Sequence, residues 1–143
     1  MSVDENKAIV LRYFEESHNK RNLAIIDELL EPEYGKRVKE WMTMELAAFP
    51  DGRYIIEDVV AERDKVLLRW TWSGTHRSPI WTPVGTIAAT GQHVTSAGML
   101  LYRVANGKLV EEWLGEDWLH FVRQLGVEVR LPGESAGVNN CEA

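Results

Sequence analysis

The chain predicts an α+β fold, a curved antiparallel sheet wrapped around N-terminal helices. Two observations carry this. Apolar residues recur at three- and four-residue spacing up to Phe49, and long runs rich in Val, Ile, Leu, Trp and Thr replace them from Arg53 onward. Helices followed by strands joined through tight turns gather on one face of a sheet. Long twisted strands curl around them and leave a conical cavity, the natural place for a ligand.

The elements follow in order. Ser2 and Glu5 have capping-box spacing, and Ile9, Val10, Tyr13 and Phe14 share one face of a first helix that fades at Asn19 to Arg21. Asn22 can cap a second, short helix with Ile25, Ile26, Leu29 and Leu30 as its stripe, stopped by Pro32. Val38, Trp41, Met42, Leu46 and Phe49 predict a third helix over Lys36 to Ala48, and Pro50-Asp51-Gly52 is a turn. Strands are predicted at Arg53 to Glu62 and Lys65 to Thr75 with a hairpin turn at Arg63-Asp64. A Pro- and Gly-bearing connection, His76 to Gln92, holds a short extended piece at Ile87 to Thr90. Strands at His93 to Val104 and Lys108 to Glu116 meet through Asn106-Gly107, a strong hairpin signal. Trp118, Leu119, Phe121, Val122 and Leu125 predict a closing helix. Residues 1–130 read as one domain, and 131–143 as a disordered tail that lacks large apolar side chains after Leu131.

Composition excludes several classes. With 143 residues the chain can bury a core, and its net charge of −6 is spread along the sequence rather than concentrated as a basic face, so nucleic-acid binding is not expected. The single cysteine, Cys141, allows neither an internal disulfide nor a thiolate zinc site. The four histidines lack metal spacing, no phosphate loop or Ser-His-Asp set is present, and no metal or cofactor is expected. No apolar run reaches membrane-spanning length and no signal-peptide core is visible, so a cytoplasmic protein without membrane contact is the default.

The stretch EEWLGEDW, residues 111–118, carries most of the functional reading. Strand alternation puts Leu109, Glu111, Trp113 and Asp117 on one face, and Glu112 and Glu116 on the other, unless a bulge intervenes. The size of Trp113 argues that its face looks inward, leaving Glu112 and Glu116 solvated. Asp117 has two readings. Enclosed by indoles it would be a base with a raised pKa, and directly before a helix it would be an N-cap. Glu111 is a second acid/base group or the ion partner of Arg103 or Arg69. His76 shares a face with Trp70 and Trp72 and could shuttle a proton, or merely bond at a strand end. Trp41, Trp70, Trp72, Trp113, Tyr13, Phe49 and Met99 are candidates for lining a site for a flat apolar molecule. Trp81, in SPIWTPVG, reads as a lid or a subunit contact.

Four stretches in order, NKAIVLRYFEESHNKRNLAIIDELLEPEY, FPDGRYIIEDVVAERDKVLLRWTWSGTH, TGQHVTSAGMLLYRVANGKLVEEW and EDWLHFVRQLGV, resemble the SnoaL-like polyketide cyclase (ester cyclase) family of the nuclear transport factor 2-like superfamily. The resemblance implies cofactor-independent acid/base chemistry, as a cyclase or an isomerase or lyase, on a carbonyl-bearing apolar small molecule. It also implies a homodimer, with Asp117 as the acid/base residue and His76 at a familiar place. The chain departs from the pattern in two places. EPEYGKRVKEW has no histidine, and Glu112-Trp113 stands where many relatives have His-Trp. A non-catalytic binding or structural domain of the same fold is the alternative, since such a scaffold hosts many functions.

Overall fold

A computed structural model describes residues 1–134. Helix α1 (Val3–Phe14) opens with the Ser2–Glu5 capping box, and its last turn widens into a π-helical segment, Glu15–Asn19. After it come α2 (Ala24–Leu29) and α3 (Pro32–Ala48). Pro32 does stop α2, but it also starts α3 four residues before the predicted Lys36. Its missing N–H costs nothing at the first helical position, and the Glu31 carboxylate caps the backbone N–H groups of Glu33 and Tyr34.

Strands β1 (Arg53–Glu62), β2 (Lys65–Thr75), β5 (His93–Ala105) and β6 (Lys108–Glu116) form one antiparallel sheet in the order β1-β2-β5-β6. Between β2 and β5 the connection folds into a small hairpin, β3 (Ile80–Thr82) and β4 (Gly85–Ile87), where sequence predicted only an extended piece further on. Asn106 and Gly107 both take positive φ, 52° and 75°, as the tight β5–β6 turn requires. Helix α4 (Trp118–Gln124) closes the chain, its Gln124 amide exchanging two hydrogen bonds with the backbone of Thr95 on β5. Residues 131–134 are described, with a turn at 132–133; the remainder of the expected tail, 135–143, lies outside the described residues.

The helices cover the concave face of the sheet. Val10, Tyr13 and Phe14 of α1, Ile25 and Ile26 of α2, and Val38 and Met42 of α3 pack with Val66, Leu68, Trp70 and Trp72 of β2, and with Val94, Leu100 and Tyr102 of β5. Each such side chain contributes about 1.5–3 kcal/mol by leaving water. Two glycines make room for indoles. A Cβ on Gly98 would lie 2.6 Å from the Trp70 ring, and one on Gly74 2.8 Å from the Trp72 ring. Gly98 pairs with Trp70 on one side and with Glu116 on the other, so the Trp70 indole lies across β5 toward Glu116.

One irregularity decides which residues face inward on β6. Arg103 pairs with Glu111 but Val104 pairs with Leu109, so Val110 is the extra residue of a β-bulge. Leu109 is fully buried, and its carbonyl accepts from the Glu31 N–H where the α2–α3 junction meets β6. Beyond the bulge the alternation is inverted. Glu112 stands beside buried Tyr102 on the inner face, while Trp113 is 48% exposed on the outer one. The sequence expectation of an inward Trp113 with solvated Glu112 and Glu116 is therefore reversed, because a one-residue insertion exchanges the faces of everything after it.

Candidate active site

Between the helices and the concave sheet lies a cavity of about 360 Å³, bordered by Tyr13, His18, Tyr34, Trp41, Glu45, Tyr54, Trp70, Glu112 and Glu116 among others. Three carboxyls enter it, one from α3 and two from β6. Glu45 accepts a 2.5 Å hydrogen bond from the Tyr54 hydroxyl. Glu116 accepts a 2.9 Å bond from the Ser96 hydroxyl on the neighbouring strand. Glu112 has the Tyr34 and Tyr102 hydroxyls beside it.

Burial governs their protonation. Loss of hydration pushes the Glu116 carboxyl up to about 7, Ser96 opposing the shift and the charges of Glu45 and Asp117 adding to it. Burial also raises Glu112, against the pull of its two tyrosines, and raises Glu45, against Tyr54 and Arg21. A carboxyl poised near neutrality can accept and return a proton under ordinary conditions. The Trp70 indole N–H is buried at the cavity without a hydrogen-bond partner, while the Tyr34 and Tyr102 hydroxyls stand against the Glu112 carboxyl. An unpaired buried donor carries a desolvation cost that a ligand oxygen would relieve.

His18 enters the same wall from the π-helical segment, whose extra residue per turn redirects the chain there. The Asn19 side chain pins the segment to the sheet through two hydrogen bonds with the Tyr54 backbone, 3.0 and 2.9 Å. The His18 ring stacks on Phe14 at 4.1 Å, with Nδ1 2.8 Å from the Ser17 hydroxyl, and burial lowers its pKa to about 3. It is a neutral imidazole at ordinary pH.

The sequence-predicted residues divide. Tyr13, Trp41 and Trp70 border the cavity. Trp72 and Phe49 surround a narrow extension of about 20 Å³ that Glu45 and Glu116 also reach. Trp113 and Met99 lie exposed on the convex face. Asp117 is also exposed; its carboxylate caps α4 by accepting from the His120 N–H at 3.0 Å, and it borders a shallow convex groove instead of the cavity. Glu111 is held by Arg103 at the cavity edge. His76 is fully buried, stacked on Phe49; its Nδ1 accepts the Thr90 N–H, and it does not border the cavity. Trp81 sets its ring edge-on against Trp41 and Trp118, walling the side of the site while half exposed. Sequence reasoning missed Glu45, Glu112, Glu116 and His18. An acidic residue on the apolar stripe of a helix, Glu45 between Met42 and Phe49, was the available signal.

Comparison with known proteins decides the family. A family model for SnoaL-like polyketide cyclases matches residues 8–125. The chain belongs to that family. Its solved structural neighbours include AclR from Streptomyces galilaeus, a proposed hydroxylase, at 27% identity and TM-score 0.74, covering 92% of this chain and 91% of that one. TsrD from Streptomyces laurentii is similar at 23% identity and TM-score 0.72, over 88% of this chain and 98% of its own. A SnoaL-like polyketide cyclase from Agrobacterium tumefaciens is similar at 20% identity and TM-score 0.71, over 88% and 100%. No curated protein sequence matches the chain. The SnoaL-like fold is thus shared by proteins named for different activities, and what this site does depends on its own residues.

Proposed function

We propose that this SnoaL-like protein is a cofactor-independent acid/base enzyme, of cyclase or isomerase and lyase type, acting on a carbonyl-bearing apolar small molecule inside the cone. The observation that carries the reading is Glu116, a carboxyl bonded to Ser96 within an aromatic cavity and poised near neutrality. Ionised Glu116 takes a proton from carbon next to the carbonyl. The Trp70 N–H, buried without a partner, donates to the developing oxyanion. Glu112, with its tyrosines, is placed to return the proton. The geometry favours Glu116 over Asp117, whose carboxylate is occupied at the start of α4 on the outer face.

Exchange of α-protons into D2O tests this without knowledge of the natural substrate. With an aryl ketone such as 2-tetralone, wild-type protein should catalyse exchange that rises with pH through about 7, matching the Glu116 carboxyl. Glu116→Gln should lower the rate roughly 10²-fold or more. Full exchange in that variant would leave the protein a binding domain.

The same reading includes a homodimer. Ile55, Met99 and Trp113 are exposed on the convex sheet face, where apolar side chains favour association. Sedimentation at micromolar concentration checks it: Trp113→Glu should shift a dimer to monomer.

A further inference from the structure

The cavity is acidic in a way that general acid/base chemistry alone does not demand. Proton transfer needs one or two carboxyls, yet Glu45, Glu112 and Glu116 all enter it. The lining cation is Arg37; Arg21, near Glu45, spends its guanidinium on the backbone carbonyls of Leu46 and Phe49, and Arg103 is held by Glu111. His18 contributes no charge. Among the described residues the three carboxyls are not grouped to hold a metal ion. Around them stand Tyr13, Trp41, Tyr54 and Trp70, whose ring faces attract cations. A buried donor without a partner, the Trp70 N–H, calls for a ligand oxygen at the same place.

We infer that the ligand of this site carries a protonated amine or quaternary ammonium on an apolar, oxygen-bearing skeleton, its cation seated among Glu45, Glu112 and Glu116 and the surrounding rings. The inference rests on the acid/base reading of the site and narrows its substrate to amino-carbonyl compounds. Once ionised, the same carboxyls disfavour anionic substrates. A cation entering the cavity stabilises ionised carboxylates, so binding releases protons and strengthens as pH rises through 7. A neutral molecule of the same shape has neither property.

Three isosteric probes separate the cases: choline, neutral 3,3-dimethylbutan-1-ol and anionic 3,3-dimethylbutanoate. Binding to the intact protein is followed by tryptophan fluorescence and by calorimetry in buffers of different ionisation heat. The expected result is choline at least about tenfold tighter than the alcohol at pH 8, with no binding of the acid. The preference should shrink at pH 5.5, and proton release should accompany choline binding. Glu112→Gln/Glu116→Gln, isosteric and checked for folding by circular dichroism, should bring choline down to the affinity of the alcohol. An alcohol that binds as well as choline, a preference that survives in the double variant, or no binding of any probe overturns the inference. Loss of the amine preference beside intact Glu116-dependent proton exchange removes the substrate class alone; loss of exchange removes the acid/base reading itself.

Discussion

The Ser96 hydroxyl donates to Glu116 from the adjacent strand at 2.9 Å, one strand-width from the indole of Trp70 lying over Gly98. That single bond tempers a carboxyl that its surroundings would otherwise hold more firmly protonated. The site is thereby set between a stable neutral acid and a usable base.

Stability should pay for this arrangement at high pH. A carboxyl whose folded pKa is raised to about 7 keeps its proton while the unfolded chain loses it near the ordinary glutamate value. The folded state then binds more protons, and stability falls as pH rises from roughly 4.5 to 7. Below that window the penalty is absent; above it, it is complete. Glu116→Gln should therefore be more stable than wild type at pH 8, on the order of 1–3 kcal/mol, and nearly equal at pH 4.5. Urea unfolding at the two pH values measures it, and equal differences at both would contradict the assignment.

His18 works in the opposite direction. Its folded pKa is lowered to about 3, so the unfolded chain binds the extra proton first as pH falls below 6.5. Its contribution to stability is present above the unfolded value and is lost between about 6.5 and 3. In a 13C-edited NMR titration the His18 ring should show no inflection between pH 5 and 8, whereas a shift near 6.5 would mean that the ring is solvated.

Asp117 should matter for folding and little for chemistry. Its carboxylate satisfies the N–H of His120 at the start of α4, so Asp117→Ala should cost about 0.5–2 kcal/mol and Asp117→Asn much less. Ketone α-proton exchange per folded molecule should persist in both, its pH midpoint moving slightly down as the Asp117 charge beside Glu116 is lost. A fall in exchange for the well-folded Asn variant would restore Asp117 to the site.

Gly98 should be intolerant of even a methyl group. The added carbon would meet the Trp70 ring and the Gly115 carbonyl oxygen, both at 2.6 Å. Gly98→Ala should lower stability by roughly 1–3 kcal/mol and push Trp70 toward the cavity. Thermal unfolding and the tryptophan emission maximum report the two effects separately; an unchanged spectrum would mean that β6 yields instead of the indole.

Local patterning made most of the architecture legible. The bounds of β1, β2 and β6 and the Asn106-Gly107 turn follow from β-rich runs and turn residues that act within a few positions of one another. The exceptions in the fold are also local in cause. Pro32 looks like a stop and is equally a first helical residue, and the short β3–β4 hairpin has too few residues to alternate visibly.

The candidate site was less legible, and one residue explains most of the difference. Size and alternation predict an inward Trp113, but the Val110 bulge depends on how β6 registers against β5, with Leu109 held at the α2–α3 junction. Nothing within EEWLGEDW encodes that register. Glu45 is hidden in the sequence for a related reason: only the packing of α3 across the sheet brings it to Tyr54 and into the cavity with Glu116.

By itself, then, the amino-acid order determined most of the helices and strands and the aromatic character of the cone, because propensity and periodicity are short-range properties; the family followed from resemblance alone. Tertiary structure alone decided which carboxyls are withdrawn from water. Solvation depends on what the other elements place around a side chain, and one inserted residue in a strand is enough to exchange the wet face for the dry one.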